Sequence, residues 1–81
     1  MPAYRVLLFA TLRDLAKQEA LTLTLAPNAT VGQLREALAA IPALQPYAES
    51  AVIAVNHAFT TDDTPLTPDD EIAAFPPVSG G

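Results

Sequence analysis

The sequence predicts one α+β domain in which a single main helix lies across a mixed sheet of four or five strands. Three observations predict it. "TVGQLREALAAIP", Thr30 to Pro42, is an amphipathic run with its own start and stop signals. "ALTLTLA", Ala20 to Ala26, alternates leucine with threonine. "YRVLLF", "AVIAV" and "EIAAF" are short apolar runs spread along the chain. Period-two alternation belongs to strands, and the wider helical spacing belongs to helices. One apolar helix stripe and one apolar sheet face can cover each other.

Each element has a local reason. Tyr4 to Phe9 is rich in β-branched and bulky residues and reads as the first strand. "TLRDLAKQ", Thr11 to Gln18, reads as a short helical turn with Leu12, Leu15 and Ala16 on one side. In the next strand, alternation turns Leu21, Leu23 and Leu25 toward the core, and Pro27 and Asn28 close it. In the main helix Thr30 is the N-cap and Gln33, three residues on, completes a capping box. Val31, Leu34, Ala37, Leu38 and Ile41 share one face, and Pro42 cannot continue the helix. Ala51 to Val55 is wholly apolar, which suits the middle of a sheet. Asn56 and His57 turn the chain, and "TPDD", Thr67 to Asp70, places Pro68 at the second position of a type I turn. In the last strand Ile72 and Ala74 point inward and Phe75 outward.

The expected boundaries are a domain over residues 1–75 and an extended, flexible C-terminal tail over 76–81. A ubiquitin-like β-grasp orders its elements this way, with the first and last strands parallel at the centre. A ferredoxin-like split βαβ fold would need a second full helix, and the sequence offers one strong one.

Composition excludes several function classes. An 81-residue chain buries only about 60% of its unfolded surface, so the core must be economical. There is no cysteine, hence no disulfide, thiolate metal site or thiol nucleophile. The net charge is −5, and Lys17, Arg5, Arg13 and Arg35 are the only lysine and arginines. Such a surface does not suit a nucleic-acid partner. No run approaches the ~20 apolar residues of a membrane span. The start "MPAYRVLLFATLRD" lacks the pattern of a signal peptide. The expected location is cytoplasmic.

The side chains offer little catalysis. His57 is the only histidine, and Ser50 and Ser79 are the only serines. A nucleophile needs a base held beside it, and a tail serine has none. His57 reads as a solvated turn residue. Asp62, Asp63, Asp69, Asp70 and Glu71 lack the spacing and glycine of a calcium loop and read as two polar turns. Tyr4, Phe9, Tyr47, Phe59 and Phe75 show no stacking pattern and read mostly as core.

The tail is different. Two of the three glycines are Gly80 and Gly81, the last two residues. A C-terminal carboxylate can be activated as an acyl phosphate or acyl adenylate. Glycine there has no Cβ to crowd an attacking atom, and a glycine pair can thread a narrow channel. Pro76 and Pro77 supply a stiff spacer. Without cysteine, any carried sulfur must ride on the terminus. Lys17 alone would restrict lysine-linked polymers to one site.

"VLLFATLRDLA", "TVGQLREAL", "AVN" and "PLTPDDEIAAFPPVSGG" resemble the small, sulfur-carrier subunit of molybdopterin synthase over essentially the whole chain. The ending "FPPVSGG" is the most specific part. The resemblance implies a β-grasp fold and work in molybdenum-cofactor biosynthesis. An adenylating enzyme similar to those that activate ubiquitin would consume ATP to adenylate Gly81. A sulfur donor protein would convert the adenylate to a thiocarboxylate. The tail would then deliver sulfur to a cyclic pterin precursor inside the large synthase subunit, in an assembly of two small and two large subunits. The chain would be a non-catalytic sulfur-donor subunit with no bound cofactor. Gly81 would carry the sulfur, Gly80 and Ser79 would give access, and Phe75, Pro76, Pro77, Val78 and Arg13 would meet the partner. The family usually has Asp-Gly-Asp-Glu in its last turn. Here Asp69 replaces the glycine, which leaves the turn type open. The rivals are a thiazole-pathway sulfur carrier, a ubiquitin-like modifier conjugated to lysines, and a plain β-grasp binding module.

Overall fold

A computed structural model describes residues 2–77. The expected behaviour of the tail over 78–81 lies outside the described residues. The elements are β1 (Ala3–Leu8), α1 (Ala10–Ala16), β2 (Ala20–Thr24), α2 (Val31–Ala39), α3 (Gln45–Ala48), β3 (Val52–Val55), β4 (Ala58–Phe59) and β5 (Ile72–Phe75). The five strands form one sheet in the order β2-β1-β5-β3-β4. β1 and β5 are parallel, and the other neighbours are antiparallel. This is a ubiquitin-like β-grasp.

The register explains the core. Val6 pairs with both Leu21 and Ile72, and Ile53 pairs with Ala74, so one face carries an unbroken apolar row. Val31, Leu34 and Leu38 of α2 are buried against that face. Tyr4 is fully buried, and its hydroxyl donates to Ala26 O at 3.1 Å. Leu21, Leu23 and Leu25 pack on the core but stay half-exposed, because β2 is an edge strand.

α2 begins with every early N–H satisfied. Val31 donates to Thr64 O and Gly32 to Asp62 O, both at 2.9 Å. Gln33 N donates to Thr30 Oγ1, and Thr30 N donates back to Gln33 Oε1, which is the predicted capping box. Glycine at 32 permits the approach: a Cβ there would lie 3.3 Å from Asp62 Cβ and Asp62 O.

Three expectations need correction. Leu15 is exposed rather than core-facing. Leu12 and Ala16, four residues apart, share the buried side of α1, and Leu15 is rotated to its flank. The helix α3 was not expected, because a single turn containing Pro46 is too short to show periodicity. The two-residue β4 was also unseen for want of length. Asn56 and His57, with φ of 52° and 71°, form the two-residue turn that joins β3 to β4.

Candidate functional site

The face of the sheet away from α2 carries no helix, and its composition changes along it. Outward residues of β1 and β2 include Arg5, Thr22 and Thr24, all exposed. Farther across, Leu7 pairs with Ala73, Ala73 with Ala54, and Ala54 with Phe59. In the adjacent row Val52 pairs with Phe75. Two alanines therefore make a low floor between aromatic walls. Ala54 is buried although it lies outside the core cluster, so its cover comes from this outer side.

Three phenylalanines build the walls. Phe9 and Phe75 stack with ring centroids 4.7 Å apart and planes 11° from parallel. Phe59 is 79% exposed on the edge strand. Phe75, Pro76 and Pro77 line one groove with Ala10, Val52 and Phe59, an almost wholly apolar lining. The aromatics were expected to be mostly core with no stacking. Of them only Tyr4 is fully buried, because strand alternation that points Tyr4, Val6 and Leu8 inward must point Phe9 outward.

Backbone geometry sets this corner. Ala10 has φ 52°, a left-handed conformation that is uncommon without glycine. The bend there turns the chain out of β1 into α1 while Phe9 N still donates to Ala74 O at 3.2 Å. Phe9 is thereby anchored to β5, beside Phe75.

Beside it, Phe9, Phe59 and Phe75 line a second hollow over Ala54 and Ala73, closed by His57 and Glu71. His57 Nε2 pairs with Glu71 Oε2. His57 is therefore an exposed but paired residue, not one surrounded by water alone. Asn56 joins the two turns, donating from Nδ2 to Asp70 Oδ1 at 3.0 Å and accepting Glu71 N on Oδ1 at 2.9 Å. Thr67 N donates to Asp70 Oδ2 at 2.8 Å. That backbone hydrogen bond, helped by Asn56, holds the Asp70 carboxyl below its ordinary value of 3.8 against a smaller opposing effect of burial. Asp70 N donates to Thr67 O at 3.1 Å, and no residue of the 67–70 turn has positive φ. A turn of this kind needs no glycine, so Asp69 fits where the family usually has one.

The remaining acids have separate duties. Asp62 bonds Arg35 Nη2 at 3.1 Å, and Arg35 Nη1 donates to Ala48 O, Glu49 O and Ala51 O at 2.7–3.0 Å. Arg13 is exposed on α1, three residues after Ala10, with Nε 3.9 Å from Asp14 Oδ1. The structure thus brings Phe75, Pro76 and Pro77 together and sets Arg13 one turn of helix from the groove. Val78, Ser79, Gly80 and Gly81 lie outside the described residues. Phe9, Phe59, Ala54 and Ala73 were missed. Phe9 and Ala73 were available from alternation, whereas Phe59 and Ala54 needed the unseen hairpin.

Fold and site define a small ubiquitin-like protein with one aromatic sheet face, set where the polypeptide leaves its last strand toward the C-terminus. A ubiquitin of Caldiarchaeum subterraneum, 19% identical, shares the fold with a TM-score of 0.67 over 99% of this chain and 98% of its own. The chain belongs to the ThiS family, whose pattern matches residues 6–81, and with two curated relatives to the molybdopterin synthase sulfur carrier subunits. The Arabidopsis thaliana subunit is 37% identical over 78 residues, covering 95% of this chain and 81% of the relative. The Escherichia coli K12 subunit is 41% identical over 80 residues, covering 95% and 98%. Among solved structures, SAMP1 of Haloferax volcanii is 29% identical with a TM-score of 0.81, over 98% of this chain and 99% of that one. A Helicobacter pylori complex of subunits 1 and 2 of molybdopterin-converting factor contains a chain that is 26% identical, with a TM-score of 0.69 over 98% and 99%. No helix among the described residues is long and apolar enough to cross a membrane.

Proposed function

We propose that this chain is the sulfur-carrier subunit of a cytoplasmic molybdopterin synthase and brings no catalytic side chain of its own. One observation carries the reading: two molybdopterin synthase sulfur carrier subunits are 37% and 41% identical to this chain, each over 95% of it. An activating enzyme couples the Gly81 carboxylate to ATP, forming an acyl adenylate and releasing pyrophosphate. Hydrosulfide released by a sulfur donor attacks the acyl carbon, AMP leaves, and the terminus becomes a thiocarboxylate. In the large subunit the sulfur bonds to a cyclic pterin precursor, and water then cleaves the acyl–sulfur bond, leaving the sulfur on the pterin and returning Gly81 to a carboxylate. Gly80 and Ser79 leave the acyl carbon accessible. Phe75, Pro76, Pro77 and Val78 dock on the partner with Phe9 and Phe59, and Arg13 pairs with an acidic group at the margin. The Helicobacter pylori complex of subunits 1 and 2 supports a large-subunit partner; the assembly holds two of each.

Intact mass spectrometry tests the reading. After incubation with ATP, the activating enzyme and a sulfur source, a population heavier by one sulfur-for-oxygen exchange is expected. It should convert the pterin precursor when the large subunit is added. An unmodified mass under those conditions overturns the proposal. A loaded chain that serves only a thiazole acceptor, or that forms lysine conjugates in cell extract, would assign one of the rival roles.

A further inference from the structure

The far edge of the sheet, away from the aromatic groove, is built unlike its opposite. β4 is only two residues long. β2 has five, in a stretch from Ala20 to Ala26 that contains no charge, proline or glycine. Its register with β1 runs unbroken from Ala3↔Thr24 to Leu7↔Ala20, so no bulge twists it away. Natural edges are usually blunted by charge, proline, a bulge or shortness, and this one has none of the four.

The hydrogen-bond phase shows what the edge offers. Leu25 N donates to Pro2 O at 3.1 Å and Leu8 N to Glu19 O at 2.8 Å. Hydrogen-bonded pairs alternate along an antiparallel ladder, so Leu21 and Leu23 bond β1. Ala20, Thr22 and Thr24 point their N–H and C=O groups outward, beyond the last strand of the sheet. On the core side Leu21, Leu23 and Leu25 remain half-exposed, and Leu25 lines a groove with Ala29 and Ala37.

We propose that a second copy of this chain pairs with the β2 edge, antiparallel about a two-fold axis through Thr22. The edge is self-complementary in that register. Thr22 faces Thr22 as a hydrogen-bonded pair, and Ala20 faces Thr24 on each side. Leu21 then packs on the partner copy's Leu23, and Leu23 on its Leu21, which completes the unfinished apolar row. Glu19, the charge next to the stretch, falls at opposite ends of the paired strands. The axis is normal to the sheet, so the joined ten-stranded sheet keeps both aromatic grooves on one face. The interface is small, which makes the dimer weak and reversible. Each copy carries a net charge of −5, so added salt strengthens the pairing by screening repulsion.

The full chain tests this without its tail chemistry. Sedimentation equilibrium up to about 1 mM protein is expected to show a monomer–dimer equilibrium, strengthened by salt. The chain has no cysteine, so Thr22→Cys introduces a single thiol. Facing residues of a hydrogen-bonded pair sit about 5.5 Å apart at Cα, within disulfide reach. Thr22→Cys is expected to form a disulfide dimer under mild oxidation at least tenfold faster than Thr24→Cys. The Thr24 positions of two copies would be about 14 Å apart. Thr22→Glu, with an unchanged melting temperature, should leave only monomer. A monomer at every concentration and salt, or equal cross-linking of the two cysteine variants, would overturn the proposal.

Discussion

Ala10, Phe75 and Asp70 each show how one residue shapes the site. A non-glycine residue at Ala10's positive φ stores about 1 kcal/mol or more of strain. Glycine relieves that strain but loses more entropy on folding. Ala10→Gly is therefore expected to change stability by less than about 0.5 kcal/mol in urea unfolding, while Ala37→Gly inside α2 costs about 1 kcal/mol. Phe75 is half-buried and stacked on Phe9. Phe75→Ala should cost about 1–2 kcal/mol of stability and weaken large-subunit binding tenfold or more. A variant that unfolds outright would make Phe75 a core residue. Asp70 sets a pH dependence. Its carboxyl is held below 3.8 in the folded protein, so its stabilising effect is complete at neutral pH. It is lost only as the pH falls below that ordinary value toward the depressed one. Asp70→Ala should lower stability at neutral pH and flatten this acid limb of a denaturation series.

At the scale of elements, Arg35 ties three segments into one unit. It rises from α2, binds the Ala48 and Glu49 carbonyls at the end of α3, reaches the residue before β3, and takes Asp62 on its remaining side. Only 19% of its side chain is exposed, so solvent replaces those bonds poorly. Arg35→Ala is expected to cost about 2–3 kcal/mol, read from denaturant midpoints. Lysine should not rescue it, since a single ammonium cannot span the same acceptors. Thr30→Ala breaks the capping box and should cost about 1 kcal/mol. The capping box was plain in the sequence because it is a contact across three residues. The Arg35 clamp was not, because its partners lie 13 to 27 residues away.

At the scale of the whole molecule, one face of the sheet builds the core and the other carries the aromatic groove. Removing Gly80 and Gly81 should leave the melting temperature unchanged and abolish loading by the activating enzyme. Full loading of the truncated chain would separate the aromatic groove from any tail chemistry. The elements whose apolar spacing repeats could be read one by one: β1, β2, α2, β3 and β5. Their inward residues also told which side chains face outward, so Phe75 was legible and Phe9 could have been. Phe59 and Ala54 were not, because a two-residue strand has no period. The sequence by itself determined the fold class and the helix start, since each rests on neighbours along the chain. Only the tertiary structure decided that Phe9, Phe59 and Phe75 share one groove and that Asn56 locks the Asp70 turn. Those contacts depend on strand order and register, which set distances between residues far apart in the chain.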